Sequence, residues 1–582
     1  MNNKISNTQP INLRLTVLSL AVIVGLAGCE QSAPREVDEQ QAQKNSAEKA
    51  NQNDEQQLEL QAQKIQLQHA VRYQAMPQGM MDASVAMQRS ELQLQPMPPA
   101  PIDDVVVVPE QDRENYLKSQ QNPVKQTITE PVSTFSIDVD TGSYSNIRRM
   151  LNMGQLPPSD AVREEAFINY FDYNYSAPKN ISSPFKVHTE LATAPWNEHR
   201  QLLKIGIKGF EIEKADLKAA NLVFLLDVSG SMNAPNKLPL LKTSLTMLTK
   251  QLDENDSVAI VVYAGAAGVV LPATKGNDQQ AISAALDKLV AGGSTNGEQG
   301  IELAYQIAQQ NFKKEGINRV ILATDGDFNV GMQSVDKLKE LVAAKRKTGV
   351  ALTTLGFGQG NYNDGLMEQL ANIGNGQHAY IDNINEARKV LVDELSSTMQ
   401  IIAKDVKIQV EFNPQQVAEY RLIGYQNRML ATEDFNNDKV DAAELGAGHT
   451  VTALYEITLA NSAHKQIDEL RYQSKDDKKS ATINASNELA FVKVRFKQPN
   501  SEQSKLLSQA INGDKIQPLS QASSDFKFAA AVAGFAQLLK GAKYTGDWQY
   551  EDCAKLATAN KGTDTFGYRS EFVQLVNNAA AL

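Results

Sequence analysis

The stretch 222-LVFLLDVSGSMN-233 decides how the chain is read. Leu222 to Leu226 are apolar without a break, the pattern of a strand covered on both faces, as in a parallel sheet. The run stops at Asp227, and Ser229 and Ser231 follow at alternate positions. A core strand that ends in a row of oxygens is either a turn into a helix or a cradle for a species that takes hard oxygen ligands. The flanking sequence has to separate the two.

Around this stretch the rhythm is strand–helix. Strands are predicted at 222–226, 257–263, 319–324, 350–356 and 378–382, with 268–274 as an antiparallel edge. Helices are predicted at 238–254, 278–290, 298–311, 334–347, 363–372 and 384–398. This alternation means an α/β fold with a doubly wound, mainly parallel sheet. Ligands of such sheets bind beyond the carboxyl ends of the strands, where strand order reverses. Asp227, Ser229 and Ser231 leave one such end; Thr295 lies in the loop 291-AGGSTNGEQG-300, and Asp325 closes the strand of 319-RVILATDGDFNVG-331. Two carboxylates and three hydroxyls suit a small hard cation that prefers octahedral oxygen and keeps some water. Ser294, one residue before Thr295, is an alternative hydroxyl, and Asp327 is a further acid beside the set.

DVSGSM, the glycine-bracketed Thr295 and the ATDGD loop resemble the metal-ion-dependent adhesion site (MIDAS) of von Willebrand factor A domains, over about residues 221–399. The resemblance implies that Ser229, Ser231 and Thr295 touch the metal, and that Asp227 and Asp325 bind it directly or through water. It implies Mg²⁺ (or Mn²⁺ or Ca²⁺) as the ion, and a protein partner that supplies an Asp or Glu to complete the shell. Beyond the domain, 135-FSIDVDTGSYSNIRRML-151, 354-TLGFGQGNYNDGLMEQLA-371 and the segment 423–456 resemble a bacterial family of A-domain lipoproteins with YfbK-type N- and C-terminal regions, over about residues 130–580.

The N-terminus carries its own signals. Lys4 and Arg14 precede the apolar run Leu15 to Gly28, which has signal-peptide proportions over residues 1–28. The following 26-LAGC-29 resembles the bacterial lipobox, which implies lipidation of Cys29 as the first mature residue. Glu30 stands where similar lipoproteins carry the Asp that favours inner-membrane retention, so an outer-membrane anchor facing the periplasm is expected. Three acyl chains suffice for that without a spanning helix. Residues 29–130 are Gln-rich and then proline-rich (94-LQPMPPAPIDD-104), a composition that predicts a disordered tether. As a coil of about 100 residues it would span roughly 55 Å, and fully extended about 330 Å. The remaining Cys553 reads as a small buried apolar residue. The net charge of −11, with scattered Lys and Arg, excludes nucleic acid and anionic membrane surfaces as electrostatic partners.

The rest divides around the A domain. Residues 131–184 form an N-terminal α+β region, with a strand at Thr134–Val139 and a helix through Ile147, Met150 and Leu151. A second helix, capped by Ser159, carries Val162, Ala166, Phe167 and Tyr170. Residues 185–220, with Leu203, Ile205 and Ile207 in alternation, and 400–500, with strands at 406–412, 450–459 and 489–496, are two parts of one β-rich domain. The strands on either side are few and the first set is too small to stand alone, so the A domain is expected as an insertion in it. Residues 501–582 read as helical, and the stripe Phe528, Val532, Phe535 and Leu539 is expected against the host. Asp138, Asp140 and Ser143 read as a turn and helix N-cap. The run 434–445 begins like a calcium loop, but Lys439 stands where glycine is needed and Leu445 where a bidentate Glu is needed, so it reads as a loop or hairpin. His378, at a strand start, reads as structural, and His188 and His199 read as satisfied surface residues. No P-loop, HExxH, nucleophile elbow or CxxC appears. The chain is expected to be a binding module and not an enzyme. The alternatives are a metal-dependent hydrolase with Asp327 as base, and an envelope scaffold with a vestigial metal site.

Overall fold

The structure of the chain is a computed structural model that describes residues 113–294, 297–326, 335–468 and 487–582. Cys29, the tether up to residue 112, Thr295 and Asp327 lie outside the described residues.

The chain first forms β1 (Lys125–Gln126), β2 (Val132–Ser136), α1 (Gly142–Asn152), α2 (Glu164–Asn169), β3 (Phe185–Ala194) and β4 (Asn197–Gly209). Two details differ from expectation. Ser159 opens a separate 3₁₀ turn, Ser159–Ala161, and Val162 and Arg163 are extended, so α2 starts only at Glu164. The residue capping α1 is Thr141, and neither Asp138 nor Asp140 caps it. The Arg428 guanidinium takes both carboxylates at 3.0 Å, while Asp138 Oδ1 also accepts the Asp140 N–H at 3.0 Å. Ser143 donates to the Ala161 carbonyl at 2.6 Å.

The inserted domain follows as β5 (Ala220–Asp227), α3 (Leu238–Thr249), β6 (Ser257–Tyr263), β7 (Ala267–Lys275), α4 (Gln279–Asp287), α5 (Gly297–Gln310), β8 (Ile317–Thr324), α6 (Val335–Arg346), β9 (Ala351–Phe357), α7 (Asp364–Ile373), β10 (His378–Ile381), α8 (Ile384–Arg388) and α9 (Leu395–Met399). The sheet order is β10-β9-β8-β5-β6-β7, with β7 antiparallel on the edge and the remaining pairs parallel. All of β5 is buried, because helices cover both faces. Leu222, Phe224 and Leu226 pack in one core with Leu241, Leu245 and Leu248 of α3. Val223 and Leu225 pack in the other with Ile301, Ala304 and Tyr305 of α5. That is why the run 222–226 shows no alternation. The single helix expected at 384–398 is divided. Asn383 caps α8, Lys389–Asp393 winds as a π turn, and α9 completes it. Lys389 and Glu394 pair across the π turn at the five-residue spacing it brings together.

The chain then forms β11 (Ile401–Phe412), β12 (Val417–Ile423), β13 (Leu445–Gly446), β14 (Thr450–Leu459), β15 (Glu488–Lys497) and β16 (Ser504–Asn512). One sheet runs β1-β12-β14-β4-β3 and the other β13-β11-β15-β16, with β2 on β11. Strands from before and after the insertion are therefore hydrogen-bonded neighbours: β4 pairs antiparallel with β14, Ile205 opposite Ala453. Leu203, Ile205 and Ile207 meet Ile408, Val410, Val492 and Val494 in the core between the sheets. The helical region is α10 (Ser524–Leu539), α11 (Tyr550–Ala559) and α12 (Tyr568–Ala581). It begins at Ser524 and not at 501, because 504–512 is needed to pair with β15. Phe528, Val532 and Phe535 cover Ala192, Leu202, Ile423 and Leu454 on the outer face of the first sheet.

Three arginines fasten the insertion to its host. Arg148 of α1 reaches Asp382 through Nε at 2.8 Å, Glu386 at 2.8 Å and Glu571 of α12 at 3.0 Å. Arg163 pairs with Asp364 at 2.9 Å and with Glu368. Arg428 stands 3.7 Å from Glu368, in addition to its hold on Asp138 and Asp140.

Candidate metal centre

β5 lies between β6 and β8, the place where strand order reverses. Asp227 is its last residue, and Asp325 is the first residue beyond β8; both are wholly buried. The turn after β5 is held by its own carboxylate. Asp227 Oδ1 accepts the Ser229 N–H at 2.8 Å, while Oδ2 accepts from Thr324 Oγ1 at 2.9 Å and Tyr263 O–H at 3.3 Å. Ser229 Oγ and Ser231 Oγ lie 3.0 Å apart. The loop at 292–293 is fastened to the same turn: Gly292 N–H donates to Val228 O at 2.8 Å, and Gly230 N–H to Gly293 O at 3.1 Å. On the opposite side, Gly326 N–H donates to Thr324 Oγ1 at 3.1 Å. Gly326 has φ +92°, and a Cβ there would collide with the backbone of Tyr362 and Asn363.

Of the expected ligands, the structure brings Asp227, Ser229, Ser231 and Asp325 to one edge of the sheet; Thr295 is outside the described residues. Ser294 is exposed, and its hydroxyl lies 3.8 Å from where a Cβ on Gly265 would stand. Burial, reinforced by the charge of Asp325, pushes the Asp227 carboxyl up to about 6. Two buried carboxylates on adjacent strand ends face one ammonium, that of Lys237 beside Asp325, and a divalent cation suits the remaining negative charge. Among the described residues no group of three or more His, Cys, Asp or Glu is disposed to hold a metal. An ion at this edge would therefore depend on the serine hydroxyls as well as the two carboxylates.

Sequence reasoning passed over three residues. Thr324 and Tyr263 orient Asp227, and Lys237 places its ammonium 2.9 Å from Asp325 Oδ2 and 3.3 Å from Asn361 Oδ1. Thr324 stands inside the ATDGD motif, where it is the only hydroxyl on the strand end; the other two carry no local signal. The loop holding Asn361 is itself strapped by residues 113–115. Arg113 N–H donates to Gly360 O at 2.8 Å, Asn115 N–H to Tyr362 O at 2.9 Å, and Glu114 accepts the Gly360 N–H at 3.0 Å.

The other polar candidates are structural. The His378 ring is buried between Thr354 Oγ1 at 3.0 Å and Tyr362 O–H at 2.8 Å, and its backbone N–H donates to Asp140 Oδ1 at 2.8 Å. His188 reaches the Ser176 carbonyl at 2.9 Å, and His199 stacks on His464. In 434–445, the Asp434 and Asn437 carbonyls accept from the Lys407 ammonium, so no calcium loop forms. Cys553 is buried, accepts the Trp548 indole N–H at 2.7 Å, and has its thiol pushed up to about 12 by burial. No helix among the described residues is long and apolar enough to cross a membrane.

The von Willebrand factor type A domain model matches residues 221–393, a von Willebrand factor model matches 110–204, and the model of the C-terminal region of uncharacterized protein YfbK matches 397–582. Uncharacterized protein YfbK of Escherichia coli (strain K12) is 46% identical over 470 residues, 80% of this chain and 80% of that one. Inter-alpha-trypsin inhibitor heavy chain H3 of Bos taurus is 25% identical over 329 residues, 52% of this chain and 33% of that protein. Among solved structures, a von Willebrand factor type A protein from Catenulispora acidiphila is 14% identical, covering 70% of this chain and 91% of that chain with a TM-score of 0.40. A domains in general mediate protein–protein interaction and commonly bind divalent metals. Matched along its A domain and its C-terminal region, and near half-identical to a relative over most of both lengths, the chain belongs to the YfbK-like family of von Willebrand factor A domain proteins.

Proposed function

We propose that this protein is a periplasm-facing lipoprotein, anchored in the outer membrane through Cys29, whose A domain captures a protein partner through a divalent metal. It is a binding module and not an enzyme. Asp227, Ser229, Ser231, Thr295 and Asp325 hold the ion, Mg²⁺ or else Mn²⁺ or Ca²⁺, with Ser294 and Asp327 beside them. When bound, the ion supplies a Lewis-acidic position that an Asp or Glu of the partner completes. The observation that carries this reading is the convergence of two wholly buried carboxylates with Ser229 and Ser231 at the reversal point of the sheet. The protein's own work there is positional. Thr324, Tyr263 and the Ser229 N–H fix the Asp227 carboxylate, so little reorganisation precedes capture of the ion.

The test uses the full chain. Mg²⁺ or Mn²⁺ at about a hundred times its Kd should stabilise the fold by about 2.7 kcal/mol. Asp227→Asn and Asp325→Asn should each remove that increment, seen as a lost upward shift in thermal melting, and EDTA should abolish partner capture by crosslinking from cells. Absence of divalent-ion binding by the wild-type chain in calorimetry at millimolar metal would overturn the metal reading. For the anchor, Cys29→Ser, exported by another signal, should leave the membrane pellet; continued sedimentation with outer membrane would refute the anchor.

A further inference from the structure

We infer that Lys237 is a tethered cation built into the metal centre: its ammonium neutralises Asp325 in the metal-free protein and limits how tightly a divalent ion binds. The inference rests on the metal reading above and deepens it.

Lys237 is 7% exposed, an unusual burial for a lysine, and its stem has little freedom. It occupies the residue before α3, with its N–H donating to Ala234 O at 3.0 Å. The aliphatic stem then crosses Gly358, where φ is +78° and any Cβ would strike Lys237 Cγ, Cδ and Cε. The path ends with Nζ 2.9 Å from Asp325 Oδ2 and 3.3 Å from Asn361 Oδ1. A buried ammonium is tolerated only where a carboxylate and further acceptors receive it. Here the receiving carboxylate belongs to the metal site itself.

The consequence is one of charge. Asp227, Asp325 and Lys237 together carry −1 when both carboxylates are ionised, and +1 once a divalent ion is added. Without Lys237 the same two states carry −2 and 0. The lysine therefore weakens the ion's hold, and it leaves the loaded centre with the surplus positive charge that an incoming carboxylate neutralises. It is a positioning residue, since it acts through Asp325 rather than by replacing a ligand.

The experiment measures Mn²⁺ affinity of the full chain by calorimetry and by thermal shift. Lys237→Met and Lys237→Gln are the variants, and Lys242→Met is the control for loss of one positive charge on the helix that follows. Both Lys237 variants should melt lower than wild type in EDTA, bind Mn²⁺ at least roughly tenfold more tightly, and gain more melting temperature from Mn²⁺. Lys242→Met should bind as wild type does. Should wild type bind Mn²⁺ and the folded Lys237 variants bind equally or more weakly, the role of Lys237 is overturned and the metal reading stands. Binding only by the Lys237 variants would support the inference and limit the metal reading to the lysine-free site. Binding by neither would overturn both. The Gln variant keeps a polar group in reach of Asp325, so the comparison survives if Met misfolds.

Discussion

Asp227 and Glu165 show the same physics put to two uses. Each is a carboxyl taken out of water and set near other acids, which raises its pKa. At Asp227 the cost falls at a strand end, two residues before the buried Ser229 and four before the exposed Ser231. At Glu165, buried in the host, the shift to about 7 comes from burial, then from Asp138 and Glu164, partly offset by Lys540 and the Tyr425 N–H. The folded protein holds this proton more tightly than the unfolded chain does. Stability therefore falls as pH rises from about 4.5 to about 7, and the deficit is complete above that range. Glu165→Gln can still accept the Tyr425 N–H through its amide oxygen. It should match wild type near pH 5 and exceed it at pH 8 by on the order of 2 kcal/mol in urea denaturation. An identical difference at both pH values would show that Glu165 titrates normally.

At the scale of elements, the clearest arrangement is the end of the inserted domain. Arg148 of α1 binds Asp382, Glu386 of α8 and Glu571 of α12 at once, and Tyr568 of α12 reaches Asp393 of the π turn. Its side chain is 1% exposed, and those of its partners Asp382 and Glu386 are 4% and 0% exposed. Removing one member of such a set leaves buried charge without a counter-charge, which costs about 3–5 kcal/mol. Arg148→Met should lower the unfolding free energy obtained from urea denaturation by that amount, and so lower the midpoint, while leaving the sheet content unchanged by circular dichroism. A wild-type midpoint would mean that water reaches Asp382 and Glu386 in the variant and that the clamp contributes no net stability.

For the whole molecule, the insertion and host share more than a covalent connection. Arg163 and Arg428 neutralise Asp364 and Glu368 of the insertion, and Asp140 of the host accepts the His378 N–H of β10. Melting the host would strand these carboxylates, so the described parts should unfold together. Scanning calorimetry of the full chain is expected to give one transition; two well-separated transitions would show that the seam is too weak to couple them. For the same reason, residues 221–399 alone should melt below the full chain.

The sequence by itself determined the inserted domain. An unbroken apolar run records a strand buried on both faces, and the placement of oxygens after it follows from where parallel strands must end. Asp227, Ser229, Ser231 and Asp325 were legible for that reason, as were Leu203, Ile205 and Ile207 as one face of a host strand. The strand 504–512 was not: an edge strand with one open face needs no strict alternation, and its antiparallel pairing with β15 is a long-range contact. Nor was the pairing of β4 with β14, since their register is set across an insertion that neither segment encodes. Lys237 was invisible for a third reason. A lysine after a turn reads as solvated surface, and only the approach of Gly358 and Asn361 from distant loops encloses it against Asp325. Local patterns carry burial and periodicity; which charges meet inside the fold is decided by long-range packing alone.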